Sequence, residues 1–509
     1  MIHLLRGLAA NPALPADLLA RLVGLAGSDA VSDPSDDLPF ALSERTDLTP
    51  DQVRTLAAAD EIAAIRFART GLLDTAGMDP LARPEVTLAV LDEGAGPPDW
   101  ARALAHHPSD WTRWRLASRP GLPLDVLETL AVDPDVEVVG ELGIWTTEPE
   151  LAARLAAHPH AEVRMKTAVN ESVPPAALAA LITGEGLAPA LSCLICDDED
   201  TRADHDQGFG GTCAGGHEST VLHTLERAAR NPATPPAAAA SLAGHPSVIV
   251  RWAVAERTDL PQDLYARLAA DPDPAVRKET AGNPALGEPL LRALASDGAP
   301  DVRRLLTRHP GIPLDALAEL AFSVRLDPER LPRLATATPE ELAGLAASPH
   351  AALRALAARG RFLPAEVRDA LAEDRDASVV RCVASHPGLS EEQLRAMVVR
   401  HGVRVLAQVA ANPDAPAGLL VELARHDPPV RRALREIAVH PNAPEAALLA
   451  CMSEPRAATD AALHPALSAA VLADLVARAA EDTAEAAAAN PSLPRAVMEE
   501  LLARCGPAA

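Results

Sequence analysis

Aromatic side chains make up only 2% of the 509 residues, with five Trp, five Phe and a single Tyr. That scarcity argues against one thick globular core and for thin layers of helices packed through Leu, Ala and Val. Lysine is nearly missing too: Lys166 and Lys278 are the only two, and the other basic residues are arginine. Six cysteines are too few for a disulfide framework in a chain of this length. No uninterrupted run of about 18 apolar residues is long enough to span a bilayer. The opening MIHLLRGLAANPALP is broken by Asn11-Pro12 before any sustained apolar stretch, so it does not read as a secretory signal. Positive charge is outnumbered, 46 Lys and Arg against 71 Asp and Glu, and the net charge of −25 sets up a field that repels phosphate backbones and anionic headgroups. Nucleic acid and membranes are therefore not expected as partners, and the expected location is cytoplasmic. The sequence has no P-loop, no G-x-S-x-G, no H-E-x-x-H and no G-x-G-x-x-G between a strand and a helix, so no enzymatic chemistry is expected.

Proline, by contrast, is abundant, and its 47 copies are spread along the whole chain as punctuation between apolar stretches. Aligned on the residue that opens each short apolar segment, the register runs Pro235, Pro261, Gly287, Pro313, Thr338, Pro364, Ser390, Pro416, Pro444, Ser468 and Pro494. The successive steps are 26, 26, 26, 25, 26, 26, 26, 28, 24 and 26 residues. The same register runs through Pro97, Pro123, Glu148 and Pro174, with weaker copies near Pro15, Pro50 and Asp74. A period this regular is the signature of a solenoid.

The unit reads N/H-P-x-L-P-x-x-L-L-x-x-L-A-x-D-P-x-x-x-V-R-x-x-x-A. Proline at the opening position suits the first turn of a helix, where its missing N–H has no partner to lose. Leu264, Tyr265 and Leu268, or Leu419, Leu420 and Leu423, then fall on one helical face that must be buried. A step such as Asp271-Pro272 ends that helix, because the residue before proline is pushed out of the helical region. A second helix starts near Val276-Arg277 and is closed by the next Asn-Pro or His-Pro. Neither helix is long enough to be stable alone, so stacking must supply the stability.

These residues resemble the leucine-rich repeat variant family and, less closely, HEAT-like repeats, over roughly residues 1–185 and 225–509. The resemblance implies an α-solenoid, a right-handed superhelix in which one helix of each pair can be 3₁₀. The expected architecture is therefore all-α, a superhelix of helical-pair repeats of about 26 residues. N-terminal repeats over 1–185, a Cys/His-containing insertion over 186–224 and C-terminal repeats over 225–509 make up its domains.

The period fails between Pro174 and Pro235, where the stretch LSCLICDDEDTRADHDQGFGGTCAGGHESTVLH intervenes. Cys193, Cys196, Cys213 and His217 form C-x2-C-x16-C-x3-H, three thiolates and an imidazole at spacings a tetrahedral zinc ion can gather. Gly210, Gly211, Gly215 and Gly216 permit the tight backbone of a ligand knuckle. The alternatives are thiols without metal and an iron–sulfur cluster. Resemblance to the leucine-rich repeat variant family keeps the cluster among the alternatives, since a cysteine-rich cluster module accompanies the repeats there; here the cysteines are central rather than N-terminal, and only three lie close together. His205 or His223 could replace His217 as fourth ligand, and Asp197 to Asp200 could be a solvated loop. As a glycine-rich module the insertion is expected to depend on its metal while the flanking repeats do not, and cleavage within it is expected to release two helical halves.

Four further sets stand out. Arg113, Arg164, Arg251, Arg277, Arg303, Arg354, Arg404 and Arg431 recur after the valine position. With so many acids present, a stacking ladder to Asp side chains or helix-end carbonyls is favoured over a ribbon for phosphates or acidic partners. His309, His386, His440 and His464 share one place with Asn231, Asn283, Asn412 and Asn490, which argues for a common task of closing a helix and bonding local backbone. Cys451 falls on the apolar face, while Cys382 and Cys505 have no evident partner. Trp100, Trp111, Trp114 and Trp145 crowd into about two units, either as a wider core or as anchors for a partner.

The function these features suggest is a non-catalytic scaffold whose groove receives a basic or mixed-charge protein segment, with a structural metal in the insertion. The alternatives are a metal or redox sensor working through the insertion and a HEAT-like DNA glycosylase, the latter opposed by the negative charge.

Overall fold

The computed structural model describes residues 2–27, 38–194, 217–324, 326, 331–360 and 362–505. Almost all of the ordered backbone is short α-helix joined by tight turns, and among the described residues the pairing of His160 with Ser192 is the one isolated β-bridge. Among the described residues two stretches, Leu242–Gly244 and Gly402–Arg404, are single 3₁₀ turns, so the described helices of a pair are both mainly α. The all-α arrangement and its successive helix-on-helix packing are consistent with a helical-repeat fold.

The helices begin one residue later than the proline register suggests. Pro261 (φ −70°, ψ 151°) is extended and stands before the helix Gln262–Ala269, and Pro235, Pro313, Pro364, Pro416 and Pro444 hold the equivalent N-cap place. This corrects the first-turn reading. The ring fixes φ, not ψ, and the fixed φ suits an extended residue as well as a helical one. At the same position Thr338 and Ser390 form capping boxes with Glu341 and Gln393. Inward positions match the apolar pattern: Leu264, Tyr265, Leu268, Leu419, Leu420 and Leu423 are all buried.

Cohesion between helical pairs comes from a ladder at the ends of many second helices. Asn283 donates its Nδ2 to the carbonyls of Ala255 (2.7 Å) and Arg257 (2.6 Å), 28 and 26 residues earlier. Its Oδ1 accepts the Ala285 N–H. Asn170, Asn231, Asn412 and Asn490 repeat this cross-bond. Histidine serves the same purpose, with Nε2 of His309, His386, His440 and His464 against the carbonyls of Asn283, Ala358, Asn412 and His440. The shared position thus has one structural task, as the sequence indicates, but its reach is longer than local. Each side chain satisfies carbonyls left open by the preceding helix end.

The chain divides into two compact units. One comprises Gly77–Arg333. Within it the second helices Asp110–Ala117, Val136–Trp145, Ala161–Thr167, Glu218–Arg230, Val248–Ala255 and Pro274–Gly282 pack in succession. Asn231 bonds directly to the carbonyls of Ala168 and Asn170, so the ladder passes over the 61-residue gap in the period without interruption.

The other unit combines Met1–Ala76 with Leu334–Ala509. Its second helices include Ala377–Val383, Leu406–Ala410, Arg431–Ala438, Pro455–Leu463 and Glu481–Ala489. The helix Ile2–Ala10 packs on Glu481–Ala489 and, on its other side, on Leu38–Ser43. Residues far apart in sequence are thereby neighbours in one stack.

Candidate functional site

Four members of the arginine column form the expected ladder. Arg113 donates Nε and Nη2 to Asp133 at 2.7 and 3.0 Å, while Nη1 donates to the carbonyls of His107 and Pro108. The pairs Arg251 with Asp271, Arg277 with Asp297 and Arg354 with Asp374 repeat the geometry, each spanning 20 residues. Hydrogen bonding from Arg277 holds the Asp297 carboxyl below its ordinary value. Bidentate pairs of this kind leave those guanidinium groups little capacity for an outside phosphate. Where the acid is replaced, the geometry changes. The position 20 residues after Arg164 is Gly184, and Arg164 instead donates to the carbonyls of Ala157, His158 and Ala188. Arg404 and Arg431 are exposed. Sequence reasoning overlooked Arg119 and Arg257, which stand in register with the Asn/His ladder. Arg257 donates to the carbonyls of Ala229, Asn231 and Thr234. Arg119 donates to the carbonyl of Leu88.

The tryptophans separate into two groups. Trp100 is buried in the helix Pro98–Ala105. Trp111 and Trp114 stack with ring centroids 5.0 Å apart and planes 16° from parallel, and Trp111 remains 55% exposed. Trp145 is 47% exposed and donates its indole N–H to Glu141 at 2.8 Å. Further along the same unit, the Arg230 guanidinium lies 4.3 Å from the ring centroid of Trp252. Trp111, Trp114, Trp145, Arg230 and Trp252 come from second helices, whose close packing has a local cause. A Cβ on Gly143 would lie 2.2 Å from Thr167 Oγ1, and one on Gly140 would lie 2.6 Å from the Lys166 side chain. Small residues here bring neighbouring helices together, and Lys166 then reaches Glu137.

Of the four proposed metal ligands, Cys193 and His217 are described, whereas Cys196 and Cys213 lie outside the described residues. So do His205 and the acidic run Asp197 to Asp200. The segment leading to Cys193 lies along the start of the helix Ala161–Thr167: Leu191 N–H donates to Pro159, and Ala161 N–H donates to the carbonyl of Ser192 at 2.9 Å. Cys193 is buried. His217 is buried in a left-handed conformation (φ 51°) and starts the helix Glu218–Arg230, with Nε2 3.2 Å from the carbonyl of Ala190. Both residues thus belong to one local structure. A cavity of about 310 Å³ opens beside it, with Arg164 and His217 on its polar wall and Leu181, Leu187 and Val221 on its apolar one. His223 is exposed and faces Glu226. No group of three His, Cys, Asp or Glu placed to hold a metal occurs among the described residues.

Cys451 is a core residue, with its thiol pushed up to about 12 by burial. Cys382 is half-buried in the helix Ala377–Val383, and Cys505 ends the helix Arg495–Cys505. No described helix is long and apolar enough to cross a membrane.

No family model matches the chain, and no curated protein matches it. Among solved structures it is similar to a leucine-rich repeat variant with a novel repetitive structural motif, at 18% identity over 52% of this chain and 87% of that one, with a TM-score of 0.28. An engineered protein matches at 19% identity over 74% of this chain and 95% of the other, with a TM-score of 0.08. At such scores neither overlay fixes the fold, which rests on the helices and cross-bonds of the chain itself.

Proposed function

We propose that the chain is a non-catalytic protein-binding scaffold built from leucine-rich-repeat-variant-like units of about 26 residues. One observation carries this reading: Trp111, stacked on Trp114, is held in a fixed geometry yet stays more than half exposed in a chain that is 2% aromatic. Exposed, preordered indoles are favoured as anchors at interfaces. The ladder arginines and asparagines are engaged between helical pairs, so they are assigned to stability and not to the partner. The partner is a protein segment of basic or mixed charge, matched to the net charge of −25. Replacing Trp111 and Trp145 together by Ala should abolish salt-sensitive capture of such a segment while leaving the melting curve unchanged. Undiminished capture by that variant would overturn the reading.

The metal reading assigns Cys193, Cys196, Cys213 and His217 to one zinc ion in an insertion over 186–224, between repeats over 1–185 and 225–509. Buried Cys193 and His217, carried by one local structure, support it. With Nε2 facing the Ala190 carbonyl, His217 would ligate through Nδ1. Metal analysis of protein purified without oxygen tests the assignment. One zinc per colourless chain supports it, a brown chain assigns an iron–sulfur cluster, and a metal-free chain assigns thiols. The proposed location is cytoplasmic.

A further inference from the structure

The helix Ile2–Ala10 packs on both Glu481–Ala489 and Arg495–Cys505, in the place that a second helix holds elsewhere in the stack. The substitution holds bond for bond. Asn490 donates Nδ2 to the carbonyls of Ala462 and His464 at 2.8 and 3.0 Å. Asn11 donates Nδ2 to those of Ala488 and Asn490 at 3.0 and 2.7 Å, across separations of 477 and 479 residues. One rung further, Arg45 donates to the carbonyls of Ala9 and Asn11, as Arg257 does to those of Ala229 and Asn231. Ion pairs flank the joint, Arg6 with Glu485 at 2.8 Å and Arg495 with Asp17 at 2.6 Å. Leu8, Ala9, Ala487 and Ala488 are fully buried in it. At its centre a Cβ on Gly7 would lie 2.3 Å from the Glu485 carbonyl oxygen and 2.7 Å from Ala488 Cβ.

From this we infer that the joint is exchangeable: residues 2–26 of one copy can seat on residues 469–505 of a second copy, tying chains head to tail. The interface is heterologous, and its two faces belong to every copy, so a second chain offers the same acceptors, apolar surface and counter-charges as the first. Only effective concentration separates closure within a chain from closure between chains. Opening the joint uncovers both faces together and leaves the Ala488 and Asn490 carbonyls without their donor, which gives the opened chain a specific demand for another copy.

Two full-length variants test this by complementation. Gly7→Leu spoils the first face and leaves the second intact, whereas Ala488→Leu does the reverse. Either variant alone has no sound pair of faces and should run as a monomer. Mixed, the second face of Gly7→Leu meets the first face of Ala488→Leu, and a 1:1 dimer of about twice 53.1 kDa should appear by light scattering and grow with concentration. A mixture that stays monomeric while both chains keep the wild-type helical spectrum would overturn the inference. If a leucine variant loses that spectrum, Arg6→Glu and Glu485→Arg decide instead. Each alone sets like charges together and their mixture restores opposite ones, so a mixed dimer supports exchange and its absence refutes it.

Discussion

Arg251 holds both carboxylate oxygens of Asp271, at 2.7 and 3.0 Å, and keeps its third donor on the carbonyls of His245 and Pro246. One guanidinium therefore ties a helix start in its own pair to a turn in the next. The two side chains are only 12% and 6% exposed, so the pair is poorly screened by salt.

Removing the acid should be costly for that reason. Asp271→Ala leaves Arg251 buried without a counter-charge and removes the acceptor for the Asp273 N–H, an expected loss of about 2–4 kcal/mol. Asp271→Asn keeps one oxygen for the guanidinium and should lose less, about 1–2 kcal/mol. Urea midpoints at unchanged slope measure both, and an Ala variant as stable as wild type would remove the arginine ladder from the account of stability.

The ladder also shows what was legible in the sequence. The apolar period marks which face of each short helix is buried, and Leu264, Leu268, Leu420 and Leu423 follow it. Counting also finds the arginine column, because it recurs after the valine position, but the acid 20 residues on that four of these arginines hold was not singled out. The acceptors of Asn283 or His309 were not legible, since a hydrogen bond to a backbone carbonyl leaves no mark in residue type at the accepting end. The pairing of Asn11 with Ala488 was hidden for a related reason: periodicity states that a face must be covered and is silent on which segment covers it. The Cys/His site was visible as a spacing, but only Cys193 and His217 of its four residues are described.

Histidine at ladder positions should make stability fall in mild acid. His309 faces the Asn283 carbonyl through Nε2 at 2.9 Å and accepts the Gly311 N–H on Nδ1 at 3.0 Å, an arrangement that requires the neutral ring. Burial holds its pKa below 6.5, and the same cause lowers that of His386. The unfolded chain takes up these protons near pH 6.5, whereas the folded chain does so only at lower pH. Stability is therefore complete above about 6.5 and declines as pH falls from there through the folded values. Asn fills the same place at Asn283, so His309→Asn with His386→Asn should preserve the rungs at pH 7 and flatten the decline. Thermal midpoints from pH 7.5 to 5.5 measure it, and an unchanged slope in the double variant would assign the acid sensitivity elsewhere.

Two glycines three residues apart should respond oppositely to the same change. Gly143→Ala places a methyl group 2.2 Å from Thr167 Oγ1, which is fully buried and donates to the Val163 carbonyl at 2.7 Å. That hydroxyl has nowhere to go, and the helices must separate at an expected cost of about 1–3 kcal/mol. Gly140→Ala meets only the flexible Lys166 chain, which can swing aside. Loss of its surface pair with Glu137 is worth less than about 1 kcal/mol and is offset by a gain in helix propensity of similar size. Melting temperatures should rank Gly140→Ala near wild type and Gly143→Ala well below, and the reverse order would place the close contact wrongly.

The last prediction concerns the insertion, where the cross-bonds alter what cleavage should do. Sequence reasoning expects a cut there to release two helical halves. Yet Asn231 spans the gap to Ala168 and Asn170, and the helix Glu218–Arg230 packs on both Ala161–Thr167 and Pro175–Thr183. Arg227 adds a bond to the Met165 carbonyl and Thr220 one to Glu162. None of these contacts passes through a proposed metal ligand. Replacing Cys193 and Cys196 by Ser should therefore abolish bound metal and leave the helical signal nearly intact. A chain cut at a protease site engineered between residues 195 and 216 should elute as one particle, its two pieces separating only under denaturing conditions. If the pieces part in native buffer, the junction around Asn231 is weaker than its hydrogen bonds imply; if the serine variant loses its helix, the metal and not the ladder joins the two sides.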